Sequence, residues 1–160
     1  MENKAITLVI KSWEVQNKAI TDIFNKYEDG YYFNEVAPSR NRAVYLLGHL
    51  VAMNDILLPM LGLGDKLFPE LESMFIASPD KTVENIPSLA TLKENWATLN
   101  QTLAVHFNKM EETDWLSRHT KVSVEDFAID PTRNKLNVLI GRIGHINYHR
   151  GQLAFITPRI

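Results

Sequence analysis

Residues 144–152 read Gly-His-Ile-Asn-Tyr-His-Arg-Gly-Gln, which places two histidines, His145 and His149, four positions apart. Positions i and i+4 share one face of an α-helix, about 6 Å apart along its axis. Two neutral imidazoles held in this way can bind one transition metal, because their nitrogens are good ligands for such ions. The stretch therefore predicts a helix that carries part of a metal site.

The rest of the chain predicts an all-α fold. Helical spacing of apolar residues indicates four long helices, which cover about residues 2–27, 39–61, 88–110 and 132–157. Ser39 and Thr132 are the expected N-caps of the second and fourth helices, and Pro158 is expected to end the fourth. The connection over residues 62–87 is long enough to cross the end of a bundle. We predict one domain over residues 1–160, a four-helix bundle with a long crossover between helices 2 and 3.

Composition excludes several classes of site and partner. The chain has no cysteine, so it can form no disulfide, thiolate zinc site or cysteine nucleophile. The lack of cysteine and of a signal-peptide pattern at the start fits a cytoplasmic location.

A net charge of −2 gives no reason to expect nucleic acid as a partner. Residues 131–160 nevertheless hold five basic residues and no acidic one, which either complement the helix dipole or favour an anionic ligand.

Residues 43–63 are apolar almost all round, which raises the question of a membrane span. Asn54, Asp55 and Pro59 interrupt the segment and no aromatic belt flanks it, so a buried helix is the better interpretation. One bundle core covers only one stripe of a helix, so this surplus predicts a second partner surface. The fourth helix shows a similar surplus away from His145, at Ile140, Gly144, Tyr148, Gly151 and Phe155. A homodimer is the simplest prediction from both helices.

Two histidines bind a metal poorly, so the pair predicts a third ligand at the same depth. The fourth helix offers no carboxylate, and the remaining histidines are His49, His106 and His119. His119 lies in an irregular segment and His106 lies near a helix end, whereas His49 and His145 are both near the middle of their helices. Three buried imidazoles without a shared partner would cost about 1–3 kcal/mol for each unsatisfied group. The matching positions of these residues along their helices therefore favour a site formed by His49, His145 and His149.

Two further polar residues lie at this level. Asn17 falls on the apolar stripe of the first helix, where it either fixes helix register or lines a ligand pocket. Gln152 lies one turn after His149 and is expected to support a ligand or contact a substrate. No glutamate precedes a histidine by three residues, and Ile146 follows His145, so the di-iron and His-Glu-x-x-His protease motifs are absent.

These residues resemble the DinB-like superfamily, which includes damage-inducible proteins and metal-dependent thiol S-transferases. The matching stretches are Leu47-Gly48-His49-Leu50 and His145-Ile146-Asn147-Tyr148-His149-Arg150-Gly151-Gln152-Leu153. The resemblance covers essentially the whole chain. It implies a four-helix bundle, commonly dimeric, in which His49, His145 and His149 hold a divalent metal such as Zn, Ni or Fe(II).

The resemblance also implies a function class. Relatives with known activity use the metal to activate a small thiol or to polarise an electrophile, and many members have no established reaction. We therefore expect a metal-dependent transferase that acts on a small thiol, or on water. The alternative is a noncatalytic stress-response protein that binds metal or ligand. Arg150 or Arg142 would pair with the carboxylate of a thiol cofactor, or else face solvent.

Overall fold

The computed structural model describes residues 3–156, and within that range the chain is all-α, as predicted. The helices are α1 (Lys4–Phe24), α2 (Ala43–Asp55), α3 (Leu57–Met60), α4 (Leu71–Phe75), α5 (Leu89–Phe107), α6 (Glu112–Trp115), α7 (Val124–Ile129) and α8 (Lys135–Leu153), with one 3-10 turn at Asp29–Phe33. The four longest helices, α1, α2, α5 and α8, are the four that the apolar spacing indicates. The predicted boundaries at Glu2, Thr157 and Pro158 lie outside the described residues.

Two of the expected helix starts are wrong. Ser39 has a φ of 62°, in the left-handed region, and α2 begins only at Ala43. The N-cap of α8 is Asn134, whose side chain accepts a hydrogen bond from the Asn137 amide. Thr132 instead binds Asp130 in the preceding turn. The Thr132 hydroxyl donates to Asp130 and so satisfies a turn rather than a helix end, whereas Ser39 lies in a turn in which its backbone amide donates to the Glu35 carboxylate.

The second predicted helix is divided at Ile56 into α2 and α3. Pro59 accounts for the break, because its ring clashes with the carbonyl four residues earlier in a continuous helix. That carbonyl belongs to Asp55, which is the last residue of α2.

Helix α2 lies at the centre of the fold, and all of its residues are buried except His49 and Met53, which are half-buried. It packs against α4, α5, α8 and the 3-10 turn. The surplus apolar surface of this helix is therefore covered within the chain, and the partner surface that we predicted for it is wrong. By length and composition alone, residues 43–60 pass as a membrane span, but 72% of that segment is buried inside the protein.

Segment 62–88 is fixed against α2 by polar contacts. The Asp55 carboxylate accepts hydrogen bonds from the Leu67 and Phe68 amides, both at 2.8 Å. At the other end of α2, Arg42 forms an ion pair with Asp80 at 2.7 Å. These contacts hold α4, which lies between them, against the middle of α2.

Contacts between the long helices define their directions. Trp13 meets Phe107 with ring centroids 4.9 Å apart, and Trp96 donates a hydrogen bond to Thr21, so α1 and α5 run in opposite directions. Helices α1 and α8 run in the same direction. Both begin beside residues 112–117, and Arg150 near the end of α8 donates to Gln16 of α1 at 2.8 Å.

Candidate metal site

The structure brings three histidines from two helices together at one point. His49 lies on α2, and His145 and His149 lie one turn apart on α8. The His145 Nε2 atom is 3.2 Å from His49 Nε2 and 3.1 Å from His149 Nε2. All three potential ligand atoms lie within 4.8 Å of one another. This is the triad predicted from the positions of His49 and His145 near the middle of their helices.

The spacing of the nitrogens fits one shared metal ion. Zinc–nitrogen bonds are about 2.0–2.1 Å long, so two nitrogens on a tetrahedral ion are about 3.3 Å apart. The Nε2–Nε2 distances from His145 to His49 and to His149 are close to that value. These two pairs of nitrogens therefore already have the spacing of ligands on one ion.

The partners of the Nδ1 atoms fix which nitrogens are free to bind. His49 Nδ1 lies 2.7 Å from the Phe75 carbonyl, which can only accept a hydrogen bond, so this nitrogen carries the proton. His149 Nδ1 lies 2.8 Å from Gln152 Oε1, which requires the same tautomer. Both Nε2 lone pairs consequently point towards His145. Such hydrogen bonds to the remote nitrogen are typical of metal-binding histidines.

His145 cannot satisfy both neighbours by hydrogen bonding. A neutral imidazole with a proton on Nε2 can donate to one of the two Nε2 lone pairs but not to both. Its Nδ1 atom is buried and has no hydrogen-bond partner. A cation at the centre of the three Nε2 atoms would accept all three lone pairs at once. The donor set therefore fits a transition metal.

The middle of α2 is shaped to hold His49 in place. Gly48 faces Phe75 so closely that a Cβ atom at position 48 would lie 2.4 Å from the ring. The Tyr45 hydroxyl donates to the Ser78 carbonyl at 2.7 Å, and the Tyr45 ring stacks on His49. The close approach at Gly48 brings the Phe75 carbonyl to His49 Nδ1. Sequence reasoning missed Phe75, because the contact uses a backbone carbonyl at the end of the short helix α4, which no side-chain pattern reveals.

Electrostatics keep the three imidazoles neutral. Burial lowers the pKa of His49 and of His149, and in each case a hydrogen bond to Nδ1 offsets part of the effect. Burial also lowers the pKa of His145, to about 3, with added repulsion from His149, Arg142 and His49. Neutral imidazole is the form that binds metal, so the site is ready to bind at neutral pH.

These pKa shifts predict acid sensitivity of the metal-free protein. The unfolded histidines take up protons near pH 6.5, whereas the folded ones do so only at lower pH. The contribution of the neutral histidines to the free energy of unfolding is therefore fully present above about pH 6.5. It is lost as the pH drops towards the pKa of His145 in the folded protein. We expect wild type to lose more unfolding free energy between pH 7.5 and 5 than His145→Asn, measured by urea denaturation. Equal losses in the two proteins would contradict this assignment.

The other residues predicted near the site have different positions. Gln152 contacts His149 as described, and its amide lies 3.3 Å from the Tyr148 hydroxyl. Asn17 is buried, and neither its Oδ1 nor its Nδ2 has a hydrogen-bond partner. No described hydrogen bond or ring contact joins it to the triad. Arg150 is exposed and donates to Gln16 on α1. His106 and His119 lie outside the cluster.

The fold and the cluster together define an all-α protein with a candidate three-histidine metal site. No protein-family model and no curated protein matches the chain. Among solved structures, it is similar to the crystal structure of a conserved protein from Enterococcus faecalis, with 14% sequence identity and a TM-score of 0.65. The similarity covers 94% of this chain and 93% of that one, and it shows a shared fold.

Proposed function

We propose that the four long helices form a DinB-like four-helix bundle with a long crossover between α2 and α5. The directions of α1, α5 and α8 support this arrangement. Helix α2 runs opposite to α8, since Arg42 before α2 and Ile156 after α8 line one groove. At the other end, the Met60 carbonyl accepts from the Thr120 amide, close to the start of α8. Helices α2 and α5 are then parallel, and parallel neighbours require a long connection.

We propose that His49, His145 and His149 bind a divalent transition metal and that the protein is a transferase acting on a small thiol. The observation that carries this proposal is the convergence of three Nε2 lone pairs with no other described ligand group beside them. Zn, Ni and Fe(II) all accept three imidazoles. Three protein ligands leave a coordination position open, as in catalytic rather than structural sites. A bound ion lowers the pKa of a thiol or water in that position.

The residues around the site suit sulfur transfer better than hydrolysis. In the overall reaction, a thiol sulfur bonds to an electrophilic carbon, the leaving group departs with the bonding electron pair, and the thiol proton passes to solvent. The Nδ1 hydrogen bonds of His49 and His149 hold their rings in one orientation during this exchange. No described carboxylate contacts the triad to act as a general base. Thiols ionise more readily than water, so they need less help from a base.

The second candidate is a noncatalytic metal- or ligand-binding protein of a stress response. It shares the metal site and differs in turnover, so one assay separates the two. Metal-loaded protein is mixed with common cellular thiols and 1-chloro-2,4-dinitrobenzene, and product is followed by absorbance. We expect turnover in wild type and in His106→Ala, and none in His49→Ala. Metal uptake without turnover would support the noncatalytic alternative, and equal rates in all three proteins would overturn the transferase proposal.

We also propose that the protein forms a homodimer through the outer face of α8. Ile140, Tyr148 and Phe155 are 48%, 64% and 72% exposed, and they recur with Gly144 and Gly151 on one stripe. Such a row of exposed apolar residues is typical of a protein interface.

A cytoplasmic location remains a prediction from composition.

The dimer makes a direct prediction about mass in solution. The double variant Ile140→Glu/Phe155→Glu places two like charges in each half of the interface, so we expect it to be monomeric by light scattering, whereas wild type is dimeric. Ile129→Glu is the matched control, because Ile129 is 83% exposed and belongs to α7 rather than to the stripe on α8. A monomeric wild type, or a double variant that stays dimeric, would contradict the proposal.

A further inference from the structure

Arg142 is a buried cation on the same helix as His145 and His149, and no described residue forms an ion pair or hydrogen bond with its side chain. It lies three residues before His145 and seven before His149, so all three side chains share one face of α8. Arg142 is only 8% exposed, and its Nε atom is buried without a hydrogen-bond partner. Within residues 3–156, no acidic group forms an ion pair with it.

A buried guanidinium without an ion-pair partner is unusual in proteins. Arginine is almost never fully buried unless it is paired, because removing an unpaired charge from water is costly. Burial lowers the pKa of Arg142 to about 10, which still leaves it charged at neutral pH. The two carboxylates buried near α2 are engaged elsewhere, since Asp55 accepts from two amides and Asp80 pairs with Arg42. Within residues 3–156, the protein therefore supplies no anion that pairs with this cation.

The position of the cation relates it to the metal site. One helical turn, about 5 Å along the axis, separates Arg142 from His145. Its charge reaches two members of the triad, since it lowers the pKa of both His49 and His145. The sequence around it, residues 131–160, contains no acidic residue at all. An anionic group of a ligand at the triad would thus meet one buried positive charge and no opposing negative charge from α8.

We propose that Arg142 binds the carboxylate of a small thiol whose sulfur lies at the three-histidine site. This inference rests on the proposed thiol-dependent function and narrows its substrate class to thiols with a carboxylate a few bonds from the sulfur. A guanidinium suits this role, because its fork of N–H groups matches a carboxylate with two parallel hydrogen bonds. Arg142 is a binding residue in this account, and the exposed Arg150 is not.

The test compares two thiols that differ only in charge. Zinc-loaded protein is titrated with 3-mercaptopropionate and with its neutral amide, 3-mercaptopropionamide, by isothermal calorimetry. We expect wild type to bind the acid about ten- to a hundredfold more tightly, which is the usual size of a hydrogen-bonded charge effect. Arg142→Leu should lose this preference and bind the acid as weakly as the amide. Arg142→Lys should retain part of it.

Two controls separate the possible outcomes. Metal content of Arg142→Leu should equal that of wild type, since Arg142 is not a ligand. Its melting temperature should be equal or higher, because an unpaired buried charge is replaced by an apolar group. Equal affinities of wild type for acid and amide would overturn the role of Arg142 while leaving thiol binding intact. Binding of neither thiol by metal-loaded wild type would overturn the thiol function and this inference with it.

Discussion

His49→Ala is expected to abolish tight metal binding. Wild type should bind about one divalent ion per chain, because three imidazole nitrogens converge on one point. Removal of His49 leaves two ligands from one helix and separates α2 from the ion. We expect the affinity for Zn²⁺ to fall at least about a hundredfold, more than the 10–100-fold typical of lost supporting hydrogen bonds. Competition with a chromogenic chelator measures this change.

The zinc affinity of His49→Ala is compared with that of two other variants, one expected to have no effect and one expected to have an intermediate effect. His106→Ala removes a half-buried histidine from α5, outside the cluster, and should leave the affinity unchanged. Gln152→Leu removes the acceptor of the His149 Nδ1 proton and should weaken binding by about 10–100-fold. A His49→Ala protein that binds zinc as tightly as the His106→Ala control would rule out the three-histidine site.

Gly48→Ala should destabilise the fold although it adds only one methyl group. The new Cβ would lie 2.4 Å from the Phe75 ring, which is fully buried and cannot swing into solvent. Overpacking of this kind costs about 1–3 kcal/mol of unfolding free energy. For a domain of this size, each kcal/mol lowers the melting temperature by about 2–4 °C. Thermal unfolding of the metal-free protein measures the effect apart from ligand binding.

Two further variants isolate the clash at Gly48. Gly141→Ala on α8 meets no atom within 4 Å, so it should instead raise stability by about 0.5–1 kcal/mol through helix propensity. Phe75→Leu removes the outer ring atoms that the new methyl would strike. Gly48→Ala should therefore cost at least about 1 kcal/mol less in that background, as expected for two residues in contact. Additive effects of the two substitutions would show that the close approach is not the cause.

Much of the fold follows from the sequence because helix formation leaves a local pattern. Apolar residues at helical spacing locate α1, α2, α5 and α8. The starts of α2 and α8 are less visible, since Ser39 and Thr132 serve turns rather than helix ends. The surplus apolar surface of α2 suggested an outside partner, whereas α4 and α5 cover it inside the chain. Which elements meet is a tertiary property that periodicity does not encode.

In the candidate site too, some residues could be predicted from local sequence, whereas others depend on tertiary packing. His145 and His149 follow from spacing on one helix, His49 follows from its depth on another, and Gln152 follows from its distance to His149. The Phe75 carbonyl and the missing partner of Arg142 depend on how segment 62–88 and the other helices pack. A glycine at position 48 of a buried helix was the one visible sign of that close approach.

The most direct test of the three-histidine site is anomalous diffraction from crystals grown with Zn²⁺. Data collected on either side of the zinc absorption edge locate the ion without reference to activity. We expect one anomalous peak per chain, about 2.0–2.1 Å from the Nε2 atoms of His49, His145 and His149. The absence of a peak there, with the imidazoles hydrogen-bonded only to one another, would contradict it.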